Sequence, residues 1–338
     1  MQKKYLKWLL LILLFIVVAL IVVIHSLTSG DLKISISDLP RLLFKNGDGV
    51  DFTIINTIRL PRIILGLAVG GALSLSGVIL QGIYRNPLVE PYTLGISGGA
   101  SIGVALTIVF GLPQLVGTYM LPLSGFLGAL VTVFIVYSLS IRSGKIKIQT
   151  MLLVGVMVSF IASSFMMFLL STTSSENIHS IIFWIMGSLD EPNSKLIGTT
   201  VIISVSSLLL SYLFVQPLNA LRLGEEKARH LGINTDISIK ILFVITSLLT
   251  GICVSMAGVI GFVGLIIPHL IRLITGSDFR ILLISSFITG GSFLVLCDTL
   301  ARTMLAPNEL PIGVLTGMIG GTVFIVVLNR INKKSLID

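Results

Sequence analysis

The chain has few charged residues. Only 11% of its 338 residues are Asp, Glu, Lys or Arg, and 54% are hydrophobic. Soluble domains carry about 25% charged residues. A mean hydropathy of +1.04 excludes a soluble globular domain, because this much apolar surface needs lipid as its solvent. The composition therefore indicates a polytopic membrane protein.

Cysteine and histidine are also scarce. The two cysteines, Cys253 and Cys297, both lie in apolar segments, which argues against a disulfide framework and against a metal site. The four histidines are scattered, and none has a second histidine or a carboxylate at ligand spacing. We expect no metal site and no catalytic residue in this chain.

Two further absences narrow the function. The sequence has no Gly-x-x-x-x-Gly-Lys-Ser/Thr motif, so the chain does not bind ATP through a P-loop of its own. No Asp or Glu lies in the middle of a predicted span, where an ion-coupled carrier normally holds its coupling group. A secondary transporter or channel, which would transport without ATP, is therefore the weaker alternative.

What is present is a series of apolar runs near membrane length. We expect an all-α polytopic membrane protein with about ten transmembrane helices in one permease-like domain, residues 1–338. The first run follows three lysines and is too long for a typical signal peptide, so we favour an uncleaved span over a cleaved signal. The predicted spans are 8–24, 60–80, 94–110, 119–140, 150–171, 196–215, 239–257, 259–274, 281–300 and 312–329.

The distribution of Lys and Arg predicts the topology. With the N-terminus in the cytoplasm, 16 of the 23 Lys and Arg residues fall in cytoplasmic segments, as the positive-inside rule requires. Ten spans then place both termini in the cytoplasm. The net charge of +8 is explained by this asymmetry, and nucleic-acid binding need not be invoked.

Three arginines oppose that asymmetry. Arg59, Arg62 and Arg302 lie at predicted external span ends, and Arg59 and Arg62 share a helix face. One interpretation is that their side chains snorkel to lipid phosphates. The other is an external basic patch that docks an acidic partner through bidentate ion pairs.

The longest predicted cytoplasmic connection, 216–238, contains a short helix signal. Gly224 and Gly232 bracket one or two helical turns that carry Glu225 and the small Ala228. The segment is either a solvated connector or a helix that seats in a groove of a partner. Mixed charges around a small residue suit a specific and reversible docking surface.

Two other segments break the pattern of plain spans. Residues 81–99 form a polar turn between apolar runs, in which Pro87 and Pro91 cannot sit inside a helix. Residues 258–272 place three glycines three apart, which predicts a smooth stripe on one helix. The ten-span assignment divides the run from 239 to 274 at Gly258.

Motifs in this order resemble those of the permease subunits of binding-protein-dependent ABC importers for iron-siderophores, haem and vitamin B12, the FecCD-like type II permeases. The resemblance covers residues 59–330. The motifs are Arg59-Leu-Pro-Arg62; Ala72-Leu-Ser-Leu-Ser-Gly77 with Gln81; Arg85-Asn-Pro-Leu88 with Pro91 and Leu94-Gly95; Trp184-Ile-Met-Gly-Ser188; Leu223-Gly-Glu225 with Ala228 and Leu231-Gly232; Gly258 to Arg272; Asp298-Thr-Leu-Ala-Arg302; and Glu309-Leu-Pro-Ile-Gly313 with Thr316.

The resemblance implies partners and site residues. It implies a bacterial cytoplasmic membrane, a second permease subunit in a homo- or heterodimer, a cytoplasmic ATPase dimer that holds ATP and magnesium, and an external substrate-binding lipoprotein. This chain itself would bind no cofactor. The implied docking residues are Arg59, Arg62 and Arg302; the implied coupling residues are Leu223, Gly224, Glu225, Ala228, Leu231 and Gly232; and the implied cytoplasmic gate is Asn86, Leu88 and Gln149.

The cargo follows from family frequency alone. A ferric siderophore is favoured, and haem or cobalamin is the alternative within the same class. No residue of the sequence separates these cargoes.

Overall fold

The computed structural model describes residues 2–30, 32–44, 49–117, 119–142, 145–191, 193–305 and 308–335. Nearly all of these residues are helical. The helices are α1 Gln2–Thr28, α2 Leu39–Phe44, α3 Val50–Thr53, α4 Leu60–Tyr84, α5 Ile96–Val109, α6 Leu112–Val116, α7 Met120–Ser140, α8 Ile148–Thr172, α9 Ser175–Met186, α10 Ser194–Tyr212, α11 Val215–Leu221, α12 Glu225–His230, α13 Thr235–Ala257, α14 Val263–Thr275, α15 Phe279–Thr303 and α16 Ile312–Ser335.

Each of the ten predicted spans coincides with an apolar helix, which confirms the predicted fold class. Seven helices in the described residues are long and apolar enough to cross a membrane. The remaining three are α5, α14 and the described part of α16, which are apolar but shorter. A two-residue strand pair, β1 Ile141–Arg142 and β2 Lys145–Ile146, joins α7 to α8.

The predicted division at Gly258 is confirmed, but the predicted glycine stripe is wrong. Helix α13 ends at Ala257, and Gly258 has φ of +70°, which favours glycine. Gly261 also precedes α14, so Gly264 alone of the three glycines lies in that helix. The three glycines, spaced three residues apart, therefore lie in a turn and the helix that follows it, and they do not share one helix face.

Helix α4 lies at the centre of the bundle, and its glycines allow close packing. A Cβ on Gly77 would overlap the carbonyl oxygen of Gly264 on α14, and a Cβ on Gly70 would overlap that of Gly290 on α15. Small residues at these crossings let the helix backbones touch, as is typical of helix packing in lipid. These crossings fix α4 against its two neighbours.

Contacts between helix ends define two ends of the bundle. We call one of them the arginine end; there the side chain of Arg59 donates a hydrogen bond to the carbonyl oxygen of Leu27. At the other, the α12 end, Lys4 pairs with Asp278 at 3.2 Å and Arg222 donates to the carbonyl oxygen of Ser277. The charge distribution predicts that the α12 end is cytoplasmic, and that orientation stays a prediction.

Candidate functional site

At the arginine end, Arg59 closes a short π-helical segment, Ile54–Arg59, that leads directly into α4. Its guanidinium donates to the carbonyl oxygens of Leu27 and Leu32, each at 2.6 Å. Wider helical turns of this kind are frequent at functional positions. The side chain holds the end of α1 and the following loop against the start of α4.

Arg62, one turn further on, belongs to a network of ion pairs. Its guanidinium lies 2.9 Å from Oδ1 of Asp298 on α15 and 2.9 Å from Oε2 of Glu309. Arg302 donates to Oδ2 of Asp298 at 3.0 Å and to the hydroxyl of Ser26 on α1 at 3.1 Å. Asp298 therefore binds two arginines, and the network ties α1, α4 and α15 together.

The structure places the three predicted docking arginines inside the protein. Arg59, Arg62 and Arg302 are 3%, 5% and 8% exposed. Their guanidinium groups are bound by oxygens of the protein, so in this structure the three side chains neither snorkel to lipid nor present an open basic surface. The docking role itself stays a prediction, and it requires a partner that reaches these groups.

Asp298 and Glu309 both lie in family motifs of the sequence, but sequence reasoning assigned no role to either carboxylate. Asp298 and Arg302 are four residues apart on one helix, a spacing that allows an ion pair, so the signal was present. Glu309 gave no such signal, because it lies in the connection before α16, far from Arg62 in sequence. Its side chain is half exposed, at 49%, which makes it the accessible member of the network.

At the α12 end, the short helix predicted between Gly224 and Gly232 is confirmed. It begins after Gly224 and is followed by Leu231 and Gly232, and both glycines have positive φ. Arg229 pairs with Glu225 at 2.7 Å and with Asp236 at 3.2 Å. The pair with Asp236 fixes α12 against the start of α13, whereas the pair with Glu225 lies within α12.

The two faces of α12 differ from our expectation. Ala228 is fully buried in the protein's own core, so it does not form part of a docking surface in this structure. Leu223 and Leu231 flank the helix and are 59% and 63% exposed. The exposed leucines, and not the small alanine, are the apolar groups that a partner could contact.

The predicted gate corner lies beside this helix. The side chain of Asn86 accepts a hydrogen bond from the N–H of Leu88 at 2.9 Å, which closes the tight turn after α4. A cavity of about 580 Å³ is lined by Asn86 and Gln149 together with Glu225 and Arg229. The structure thus brings two predicted gate residues and the predicted coupling helix to one cavity, whereas the exposed Leu88 is not among its lining residues.

Sequence reasoning also missed how the corner is anchored. The carboxylate of Glu90 accepts from the N–H of Phe262, and the hydroxyl of Tyr92 accepts from the N–H of Ile260. Burial raises the pKa of Glu90 above its usual value, and the Phe262 N–H opposes that shift. The corner is therefore bound to the break between α13 and α14.

A second cavity, of about 660 Å³, opens at the arginine end between α7, α9 and the start of α10. Trp184, Asp190 and Glu191 are among its lining residues. Burial raises the pKa of the Glu191 carboxyl above its usual value, and the donating N–H of Asn193 opposes the shift. The sequence predicted no cavity at this position.

Comparison with known proteins decides the family. The model of the FecCD transport family matches residues 13–330. The chain belongs to the FecCD transport family. As a FecCD permease it is an integral membrane subunit of a type II ABC importer, a class of subunit that is not itself catalytic.

Relatives of this FecCD permease carry more specific names. The cobalamin import system permease BtuC of Halobacterium salinarum is 40% identical over 84% of this chain and 75% of its own length. The hemin transport system permease HmuU of Yersinia pestis is 38% identical over 81% of this chain and 82% of its own. A solved structure of an inward-facing metal-chelate type ABC transporter matches with a TM-score of 0.83 and 29% identity, covering 96% of this chain and 99% of that one.

Proposed function

We propose that this FecCD permease carries a metal chelate into the cell across the bacterial cytoplasmic membrane, with both termini in the cytoplasm. A binding lipoprotein delivers the cargo at the arginine end, and an ATPase dimer drives transport from the α12 end. A second permease subunit, identical or paralogous, completes the translocation path. The cavity shared by the gate corner and α12 is the observation that carries this proposal.

The coupling step follows from that cavity. Glu225 and Arg229 lie on α12 and line the same cavity as Asn86 and Gln149. A displacement of α12 by the ATPase would therefore change the walls of the gate directly. Leu223 and Leu231, which flank α12, are the apolar anchors for the ATPase, and burying a leucine stabilises a contact by about 1.5–3 kcal/mol.

For the cargo, the class is a metal held by a large organic ligand. The sequence prediction is a ferric siderophore. The names of two relatives, for cobalamin and hemin, favour a tetrapyrrole. All three are metal chelates, and affinity would reside mainly in the binding protein.

The proposal predicts ATP-dependent uptake into proteoliposomes that contain the permease, its ATPase and its binding protein. Cobalamin, haem and a ferric siderophore are supplied separately, and we expect one of them to accumulate only when ATP is present. Because two exposed anchors are lost, Leu223→Asp/Leu231→Asp should lower uptake and ATPase copurification by at least about tenfold.

Glu226→Gln is the matched control, since Glu226 is exposed on α12 and makes no ion pair with any described residue. It should leave uptake and copurification unchanged. Accumulation that is equal with and without ATP would overturn the importer in favour of a secondary transporter. Normal uptake by the double leucine variant would overturn the assigned coupling surface alone.

A test of docking at the arginine end requires a variant that leaves the buried ion pairs of Asp298 in place. We propose that a carboxylate of the binding protein replaces the half-exposed Glu309 beside Arg62. Glu309→Gln should then tighten docking by about threefold, the size expected for one exposed ion pair. The gain should be larger at low salt, where charges are less screened. Titration of the binding protein against the complex in nanodiscs measures the affinity.

Asp38→Asn serves as the comparison, because Asp38 is exposed at the same end and does not contact Arg62. An equal gain in both variants would indicate general charge repulsion, and no gain in Glu309→Gln would remove Arg62 from the docking site.

A further inference from the structure

A third cavity, of about 360 Å³, lies at the α12 end, where it shares the corner residues Arg85 and Asn86 with the gate cavity but is lined by none of the described residues of α12. Three of the motifs that the sequence shares with its family meet there, although the proposed function uses only the corner. The residues that matter are Gln81 on α4, Arg85 at the corner, Arg222 after α11, and His269 and Arg272 on α14.

The cavity is strongly basic. Arg85, Arg222 and Arg272 line it, and among its described lining residues none is acidic. The side chain of Arg222 donates to the carbonyl oxygen of Ser277, whereas the guanidinium groups of Arg85 and Arg272 make no hydrogen bond or ion pair with any part of the chain that the structure describes. Converging guanidinium groups without a carboxylate form a binding site for an anion.

Two acidic side chains near the cavity are bound to other groups: Glu225, which shares the gate cavity with Arg85, pairs with Arg229 at 2.7 Å, and Asp278 follows the lining residue Ser277. Asp278 binds Lys4 at 3.2 Å and the side chain of Asn219 at 3.3 Å. Although burial opposes it, hydrogen bonds from the Arg280 N–H, Lys4 and Asn219 hold the pKa of Asp278 below its usual value. The carboxylate is charged and already bound elsewhere.

A second observation also indicates a ligand. Gln81 is 3% exposed, and its Nε2 donates to the carbonyl oxygens of Gly264 and Leu265. Those two acceptors fix the orientation of the amide, and they leave Oε1 buried without a donor among the described residues. Both ring nitrogens of His269 are likewise enclosed without a partner there. Unsatisfied buried polar atoms are costly, so a missing partner is indicated.

We propose that this cavity binds a phosphate group that also carries a hydroxyl. Arg85, Arg222 and Arg272 bind the phosphate oxygens, and Gln81 Oε1 accepts a hydrogen bond from the hydroxyl. This chemistry belongs both to a glycerophosphate lipid headgroup and to free protonated phosphate. Both sources combine anionic phosphate oxygens with a hydroxyl that can donate a hydrogen bond.

The test uses the full chain in nanodiscs, with the thermal unfolding midpoint as the readout, because a ligand that binds the folded state raises it. In one arm, nanodiscs of phosphatidylcholine are titrated with inorganic phosphate against chloride of equal ionic strength. In the other, phosphatidylglycerol replaces part of the phosphatidylcholine. A rise in the first arm identifies free phosphate, and a rise in the second alone identifies the lipid headgroup.

Arg272→Gln separates binding from a structural effect. In phosphatidylcholine with chloride, the variant should be slightly more stable than wild type, because a half-buried unpaired charge has been removed. With the ligand present the order should reverse, and the apparent affinity should fall by about tenfold for one lost charge-assisted contact. Arg85→Gln should weaken binding in the same direction.

The control is Arg280→Gln, which removes an arginine that contacts Tyr5 at the same end and does not line the cavity. It should leave the affinity for phosphate and lipid unchanged. The proposal is overturned if neither arm stabilises the wild-type chain, or if Arg272→Gln binds both probes as the wild type does.

Discussion

Replacing Asp298 with alanine is expected to lower the free energy of unfolding by about 3–5 kcal/mol, because it leaves buried positive charges without their partner. The carboxylate is 2% exposed and binds both Arg62 and Arg302. Glu309 would then be the one remaining carboxylate that contacts Arg62 among the described residues. Denaturant titration of the purified chain in detergent measures the loss.

Two further variants make this prediction specific. Glu309→Ala removes the half-exposed carboxylate of the same network and should cost about 1 kcal/mol or less. The triple variant Arg62→Met/Asp298→Leu/Arg302→Met removes all three buried charges, and most of the stability should return. A loss in Asp298→Ala no larger than that in Glu309→Ala would show that the buried network contributes little.

The second large effect is expected from Gly77→Ala. The added Cβ would overlap the backbone carbonyl of Gly264, which cannot rotate away as a side chain could. Helices α4 and α14 must then separate, and overpacking of this kind costs about 3 kcal/mol. Because α14 is bound to the gate corner through the preceding break, we also expect reduced uptake in proteoliposomes.

Gly198→Ala on α10 is the matched control. A Cβ at Gly198 meets no atom within 4 Å, and alanine favours a helix over glycine by about 0.5–1 kcal/mol. This variant should therefore be as stable as the wild type or slightly more stable. If Gly77→Ala were equally well tolerated, the close crossing of α4 and α14 would not be needed for the fold.

Much of the fold could be predicted because lipid restricts what a membrane chain can do. Backbone groups in hydrocarbon must be satisfied within their own helix, so apolar runs of membrane length become helices. The break after Ala257 and the helix between Gly224 and Gly232 also carried local signals, since glycine marks positions with positive φ. The short helices α2, α6, α9 and α11 carried no comparable length signal and were not predicted.

The site was predicted less completely, since residue types do not reveal burial. Arg59, Arg62 and Arg302 were recognised, but their enclosure depends on Asp298 and Glu309, which reach Arg62 from 236 and 247 residues away. Ala228 was assigned to a docking surface because it is small, and it is small because it packs in the core. The family resemblance identified these positions without their surroundings.

The sequence by itself determined the membrane environment, the order of the helices and the positions where they break. These features depend on local composition and backbone conformation. The tertiary structure alone decided which charges pair between different helices, which faces are exposed, and that the gate corner shares a cavity with α12. It also decided that Gln81, Arg85, Arg222 and Arg272 surround one basic cavity. Such groupings depend on distances between residues far apart in the chain, and no local pattern encodes them.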